Sequence, residues 1–243
     1  MTQNKKQAMQ FLFADRELII KVADLLAAPV DIIVNPANRG LSHGGGVAGQ
    51  IAQQGGDAIQ AESDLFIKEH GMLESGMVAL TSAGHLPYKA VVHAVGPKMG
   101  EGDEQRKIQL AVSRSLQICE MHDWKSIAFP AISSGIFGVP IDIAARAFFR
   151  AITSYWDARA DGSPEKVIIC LTEKTFRPFL HAFREESMQI AGENAGAESK
   201  KIDKALAENN IDAEAEAGVI TLCEEDISSL EDDVDDETNK WFN

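Results

Sequence analysis

The chain has 243 residues, of which 45% are hydrophobic, and a formal net charge of −14 from 37 acidic and 23 basic side chains. It is long enough for one large domain with an appendage, and it can bury a normal core. The acidic balance excludes a protein that clamps an extended nucleic acid, because such a protein needs a basic face. It does not exclude a pocket for one small anion, since a few backbone N–H groups suffice.

The charge is unevenly distributed. Residues 187–243 hold 16 Asp and Glu against 4 Lys and therefore carry −12 of the −14. This segment is rich in Ala, Glu and Asn and poor in large apolar side chains, so we expect a flexible tail. The sequence thus predicts an N-terminal extension over 1–9, a globular domain over 10–186 and an acidic tail over 187–243.

The location of the protein is predicted from three absences in the sequence. No apolar run approaches the roughly 18 residues of a membrane span, and none near the N-terminus has the form of a secretion signal. The three cysteines, Cys119, Cys170 and Cys223, lie far apart, without the spacing of a zinc site or a disulfide framework. We expect a reduced, cytoplasmic protein with no membrane partner and no metal site.

Short β-branched runs alternate along the chain with segments of helical period. The predicted strands, in order, are 16–22, 30–34, 77–81, 90–95, 126–130 and 166–171. The predicted helices are 46–54, 57–70, 104–122, 141–157 and 173–186. This alternation predicts an α/β fold, a partly parallel sheet with helices on both faces.

Two glycine-rich loops follow predicted strands and precede predicted helices, at 35–47 and at 133–138. Loops at the carboxyl ends of strands in one sheet predict a ligand crevice at that edge, and a helix N-terminus suits a phosphate. Each loop alone could serve only as a turn, but together they favour a diphosphate site. Neither has the Gly-Lys-Ser/Thr of a Walker loop or the GxGxxG of a dinucleotide fold, which argues against a kinase, an ATPase or a dehydrogenase.

Four segments resemble the macrodomain family, whose members bind ADP-ribose. They are NPANRGLSHGGGVAG (35–49), AESD (61–64), VVHAVGP (91–97) and AISSGIFG (131–138), and the resemblance covers roughly residues 10–185. The first two are similar to coronavirus and poly-ADP-ribose-polymerase-associated members. The resemblance implies a three-layer α/β/α macrodomain with a mixed sheet, ADP-ribose as the ligand and no cofactor.

The resemblance also implies contacts for each part of the ligand. Asp24, with Leu25 beside it, corresponds to the adenine contact, although Asp24 could simply cap a short helix. Asn38 and His43 correspond to the groups at the distal ribose, although Asn38 could shape the turn and His43 could be structural. The N–H groups of Gly44, Gly45, Gly46 and Val47 correspond to contacts with the distal ribose and the diphosphate, and the residues that close over the diphosphate are Ser133, Ser134, Gly135, Ile136 and Phe137. Phe137 also corresponds to a contact with the distal ribose, although it could instead be a buried core aromatic.

The sequence departs from the family pattern at both ends of the implied site. One catalytic subgroup carries an Asp and a His where this chain has Ala48 and Ala52, so that mechanism is absent. Many relatives place an aromatic residue against adenine where this chain has Thr172, and Phe176 is the candidate to substitute for it. His93, inside an apolar strand, is interpreted as a core or supporting histidine.

The retained Asn38 and His43 imply catalysis by a second subgroup, which hydrolyses the ester between ADP-ribose and an Asp or Glu of a modified protein. The expected partners are therefore ADP-ribosylated proteins. The alternative is a binding module that recognises ADP-ribose without catalysis, since a fold alone does not decide activity.

The tail contains a short apolar motif, Val219-Ile220-Thr221-Leu222, followed by acidic residues. It resembles a SUMO-interaction motif, which adds a strand to a partner's sheet. The tail therefore is a candidate for binding a protein partner, and the alternative is a solvated linker with an incidental apolar cluster.

Overall fold

The structure, a computed structural model, describes residues 8–159, 162, 164–194 and 218–222. Its centre is one eight-stranded sheet. In chain order the strands are β1 (Ala8–Phe13), β2 (Arg16–Val22), β3 (Ile32–Ala37), β4 (Val78–Thr81), β5 (Ala90–Val95), β6 (Ser126–Pro130), β7 (Lys166–Leu171) and β8 (Gly218–Leu222). They lie in the order β4-β5-β3-β6-β7-β2-β1-β8. The β4–β5 and β1–β2 pairs are antiparallel and the others are parallel.

Burial along the strands matches their places in the sheet. Every residue of β5 is buried, as is all of β6 and β7 except the first residue of each. Continuous burial is typical of strands covered on both faces. Strands β1 and β2 alternate instead between buried and half-buried residues.

Helices cover both faces of the sheet, and the predicted three-layer α/β/α arrangement with a mixed sheet is confirmed. The helices are α1 (Gly46–Gly55), α2 (Asp57–His70), α3 (Glu104–Met121), α4 (Ile141–Asp157) and α5 (Glu173–Asn194), with a 3₁₀ turn at Leu25–Ala27. Helices α3, α4 and α5 pack together over the larger core, which includes Phe148, Phe179 and Phe183. The 3₁₀ turn, α1 and α2 enclose a smaller core around Ile33, Ile51 and Ile59.

Both predicted boundaries of the globular domain differ from the limits of the folded elements. Strand β1 begins at Ala8, inside the predicted N-terminal extension, because it pairs along its whole length with β2. Helix α5 continues past residue 186 to Asn194, and Ile190 is buried in the larger core. The carboxylate of Glu186, 2% exposed, pairs with Arg146 and Arg150 of α4, which anchors this last part of α5.

Most of the predicted tail lies outside the described residues. Its segment Gly218–Leu222, which contains the apolar motif, forms β8 and pairs in parallel with β1. Among the described helices, none is long and apolar enough to cross a membrane.

Candidate ligand-binding site

The two glycine-rich loops meet at one edge of the sheet. They follow β3 and β6, which are adjacent and parallel, so their carboxyl ends lie side by side. Strands β7 and β2 come next in the same direction, and they bring Thr172 and Asp24 to that edge. At about 4.8 Å per strand, the first loop and Asp24 are separated by about 14 Å. This edge therefore suits an elongated ligand that crosses four strands.

The first loop leads into α1, and its last three glycines, Gly44, Gly45 and Gly46, are exposed. Only Gly46, where α1 begins, needs glycine for its conformation, since its φ is +58°. Gly45 is extended, with φ −177° and ψ 175°, a conformation open to any residue. A Cβ at Gly44 or Gly45 would meet no atom within 4 Å. The fold does not require glycine at these two positions, and their missing side chains leave the first N–H groups of α1 open to a ligand.

The second loop is held by backbone contacts. Ser133 lies in the left-handed region, with φ 65°, and its carbonyl accepts from Val139 N at 3.1 Å. Met99 N donates to Phe137 O at 2.9 Å, which joins this loop to the one that follows β5. The Lys98 ammonium lies 5.6 Å from the centre of the Phe137 ring. Ile136 is 89% exposed at the tip.

The remaining residues of the second loop differ in whether they bond to the loop itself or stay open to solvent or a ligand. Ser134 Oγ donates to Ala131 O at 2.8 Å and so closes the turn, while Gly135 is exposed. Ser133 Oγ is buried and has no hydrogen-bond partner among the described residues. An unsatisfied hydroxyl at the base of this loop marks a place where a ligand group could bind.

Asn38 shapes the first loop in this structure. Its Nδ2 donates to Ser42 O at 2.7 Å and to Ser42 Oγ at 3.0 Å. Its Oδ1 accepts from Gly40 N at 3.1 Å and from Ser42 N at 3.2 Å. The turn-shaping interpretation of Asn38 is therefore confirmed, and its contact with the distal ribose stays a prediction.

His43 lies beneath the glycines, with 9% of its surface exposed. Its Nδ1 is 3.1 Å from Asn35 Nδ2, and its Nε2 is 3.0 Å from Ser63 Oγ. The Asn35 Nδ2 is also 2.9 Å from Nδ1 of His93, whose Nε2 is 2.8 Å from Thr81 Oγ1. Both ring nitrogens of His43 are thus engaged within the protein. The structural interpretation of His43 matches this geometry, and its catalytic role stays a prediction.

The environment disfavours the charged form of both histidines. Burial lowers the pKa of His43, and the carboxylate of Asp64 opposes that shift. Complete burial lowers the pKa of His93 to about 3, and the nearby His43 adds to the effect. The two rings stack with their centres 4.8 Å apart, so charging both would also bring two cations together. His93 is buried, in agreement with its interpretation as a core histidine.

The adenine end of the expected site agrees only partly with the sequence. Asp24 is exposed, and its Oδ1 accepts from Leu26 N at 3.0 Å, so the residue does cap the 3₁₀ turn. The Leu25 side chain is buried in the smaller core, and its carbonyl accepts from Tyr88. The adenine contacts of Asp24 and Leu25 stay predictions.

Phe176 requires a correction. Its ring is 1% exposed and packs into the larger core beneath α5. Because the first turn of α5 points this side chain at the sheet, Phe176 offers no face to a base and does not substitute for the missing aromatic. Thr172 is occupied in a local turn with Thr175.

Sequence reasoning missed the polar residues behind the first loop. Asn35, Ser63 and Thr81 are buried and connect the two histidines to the surrounding elements. A signal existed, because Asn35 interrupts an apolar strand, and a buried amide needs partners. The sequence did not show which histidines those partners would be. Within the described part of the chain, no group of three His, Cys, Asp or Glu side chains could hold a metal ion.

Comparison with known proteins identifies the family. The sequence profile of the Macro domain matches residues 34–148. The O-acetyl-ADP-ribose deacetylase of Klebsiella pneumoniae (strain 342) is 36% identical over 156 residues, which are 63% of this chain and 89% of that protein. The chain belongs to the macro domain family. The resemblance of the glycine-rich loops to macrodomains is thereby confirmed.

Other relatives place the macrodomain in varied contexts. An uncharacterized protein of Pyrobaculum aerophilum is 41% identical over 72% of this chain and 96% of its own length. The human protein mono-ADP-ribosyltransferase PARP14 is 37% identical over 69% of this chain, but that region is only 10% of PARP14.

Solved structures with the same fold contain nucleotide ligands. The Oceanobacillus iheyensis macrodomain with ADP has a TM-score of 0.68 and 25% identity, over 77% of this chain and 98% of that one. A mutant of that macrodomain with ADPR has a TM-score of 0.66 and 25% identity, over 74% and 96% of the two chains.

Proposed function

We propose that this macrodomain binds ADP-ribose and hydrolyses ADP-ribosyl esters on Asp and Glu side chains of modified proteins. The observation that carries the proposal is the open space above Gly44 and Gly45, where the fold itself has no need of glycine. The first N–H groups of α1 lie next to that space, because Gly45 is the N-cap and Gly46 begins the helix, and the second loop follows the adjacent parallel strand β6. A diphosphate fits such a site because it accepts several hydrogen bonds without needing a basic side chain.

In the proposed reaction, water adds to the acyl carbon of the ester and the bond between that carbon and the ribose oxygen breaks. One proton of the water passes to the ribose oxygen and the other to solvent, so a carboxylate and ADP-ribose are released. The N–H groups of the two loops stabilise the negative charge that develops on oxygen. Asn38 orients the distal ribose, and the loop that it shapes excludes part of the solvent. His43 contributes by supporting the loop, since both of its ring nitrogens are engaged. An ester is reactive enough for positioning to supply much of the rate.

Similarity to the Klebsiella deacetylase supports an ester substrate, since O-acetyl-ADP-ribose is also an ester of ADP-ribose. A second candidate function is recognition of ADP-ribose without catalysis. The engagement of Asn38 and His43 within the protein favours this alternative, because neither side chain presents an unused group for proton transfer in this conformation.

Binding is tested with Gly45→Ala, measured by calorimetry with ADP-ribose. The methyl group meets no protein atom, so the free energy of unfolding should change by less than about 0.5 kcal/mol. It occupies the proposed ligand space, so ADP-ribose affinity should fall at least tenfold. Unchanged affinity would show that the ligand does not lie on the first loop.

Catalysis is tested with a protein that carries Glu-linked, labelled ADP-ribose. Release of label by the wild type supports hydrolysis, whereas binding of ADP-ribose without release supports the recognition module. Asn38→Ala should abolish release, but it also removes four bonds that shape the loop. Ser42→Ala is the matched control, because it removes the Oγ contact and leaves the Asn38 amide in place. If both variants lose activity equally, Asn38 acts only through the loop.

A further inference from the structure

The hydrogen bonds around His43 and His93 determine which ring nitrogens carry protons. Ser63 Oγ donates its proton to Ile59 O at 2.7 Å, so it can only accept from His43 Nε2. Thr81 Oγ1 donates to Ser82 O at 2.9 Å and can only accept from His93 Nε2. Both rings therefore carry their proton on Nε2, and both Nδ1 atoms are acceptors.

Asn35 completes this arrangement. Its Nδ2 has two N–H bonds, and the two Nδ1 atoms lie 3.1 and 2.9 Å away, so one N–H is available for each ring. The opposite orientation of the amide would place an oxygen between two acceptors. Asn35 Oδ1 is buried without a partner among the described residues, so the amide contacts both histidines through Nδ2 alone.

We propose that Asn35 is the positioning residue of the first loop, and that protonation of His43 releases this loop and weakens ligand binding. A proton on His43 Nδ1 would set two donors, the ring N–H and the Asn35 N–H, against each other. The network would have to open, and His43 is joined by the main chain to Gly44 and so to the ligand-binding N–H groups. The inference rests on the proposed binding of ADP-ribose.

The direction of this pH dependence separates the proposal from simple electrostatics. A cationic histidine near an anionic diphosphate would strengthen binding as the pH falls. The hydrogen-bond network predicts the opposite, a loss of affinity below neutral pH. The titratable groups around His43 are Asp64 on α2, whose charge favours the protonated ring, and His93 on β5, which opposes it.

The proposal is tested by calorimetry with ADP-ribose between pH 8 and pH 4.5. Wild-type affinity should be constant at high pH and fall on the acid side, approaching tenfold per unit. Asp64→Asn should move the acid limb to lower pH, because it removes the carboxylate that favours the protonated ring, with affinity at pH 7.5 unchanged within twofold. Affinity that rises on acidification, or an acid limb that Asp64→Asn leaves in place, would overturn the proposal.

Ser63→Ala tests whether the network that Asn35 completes positions the loop, because Ser63 contacts the opposite side of the His43 ring, and the chain offers a matched control. Ser63 and Ser115 are both fully buried helical serines that donate to the carbonyl four residues earlier at 2.7 Å. Only Ser63 touches a histidine. Ser63→Ala should weaken ADP-ribose binding about five- to tenfold at pH 7.5, against less than twofold for Ser115→Ala. Equal effects would show that Ser63 matters only for folding.

A ligand-free measurement separates this proposal from the proposed function. Long-range ¹H–¹⁵N spectra of the histidine rings distinguish protonated from unprotonated nitrogens. At pH 7.5 the wild type should show protons on Nε2 of His43 and His93 and none on Nδ1. A proton on Nδ1 of His43 would refute the network even if ADP-ribose binds. Absence of ADP-ribose binding at pH 7.5 would refute the proposed function and, with it, the ligand-linked part of this inference.

Discussion

Gly96 supports the second loop from below, and Gly96→Ala tests that contact. Gly96 follows β5, and a Cβ there would lie 2.1 Å from Ser133 Oγ and 2.6 Å from Ile132 Cγ2. Both atoms are held in place, since Ile132 is core and Ser133 is buried with a constrained left-handed backbone. The added methyl group must therefore displace the loop.

The expected cost follows from that overlap. Forcing one extra methyl group into a packed site costs about 1–3 kcal/mol. For a domain of this size, about 2 kcal/mol corresponds to a fall in Tm of about 4–8 °C. Because Ser133 begins the second loop, we also expect ADP-ribose affinity to fall at least tenfold.

The assay combines thermal unfolding with calorimetry on Gly96→Ala, on Ser133→Gly and on the double variant. Ser133→Gly removes the nearer clash and suits the positive φ, so the double variant should recover part of both losses. Gly49→Ala is the control, since its Cβ has only ordinary contacts and a helical alanine should raise stability by about 0.5–1 kcal/mol. If Gly96→Ala is as stable as the wild type, or if the double variant shows simple additivity, the contact with Ser133 does not position the loop.

Three further predictions concern other parts of the fold. Glu186→Ala should lower the free energy of unfolding by about 2 kcal/mol in urea titrations, because it removes the buried carboxylate from Arg150 and leaves Arg146 paired only with Glu185; an effect below 0.5 kcal/mol would contradict the anchoring of α5. His93 has a folded pKa of about 3, below its unfolded value near 6.5, so the unfolded chain binds the proton between these values. Stability should therefore fall by about 1.4 kcal/mol per pH unit as the pH drops through that window, and His93→Gln should show a smaller slope. Burial raises the pKa of Cys119 and that of Cys170, the latter to about 11. In a Cys223→Ser variant, which has only these two thiols, a thiol reagent should therefore react only after unfolding. Rapid labelling of the native protein would show that these thiols are accessible.

The sequence was sufficient for most of the architecture because the signals there are local. The strands at 16–22, 90–95, 126–130 and 166–171 lie where the apolar runs predict them, and helix α4 matches its predicted range. Strand β1 was missed although Met9, Phe11 and Phe13 alternate along it and are buried in the larger core, and it also pairs along its length with β2. The end of α5 was misplaced because Glu186 reads as the start of a polar tail until its arginine partners on α4 are known.

The sequence located the main-chain N–H groups of the site but not the orientation of its side chains. Loops made of glycine and a helix N-terminus can be located from sequence, since their position in a βα unit fixes the direction of the N–H groups. The orientation of side chains cannot be read in the same way. His43 points inward because its ring binds Asn35 and Ser63. Phe176 points inward because it packs into the larger core beneath α5. Most of these contacting residues are distant in sequence, so only the folded chain brings them together.

The exposed start of α1 has a consequence for mutational surveys of this protein. The first loop offers the proposed diphosphate the amide N–H bonds of Gly44, Gly45 and Gly46, and every residue except proline retains such a bond. Replacing side chains one at a time with alanine removes none of these donors. Such a survey would detect steric obstruction at this edge, movement of the loop and loss of the side-chain contacts predicted for Asp24 and Asn38, but it would leave these main-chain donors in place. Only substitutions that change the backbone, by proline or by an amide-to-ester replacement, would measure what each donor contributes.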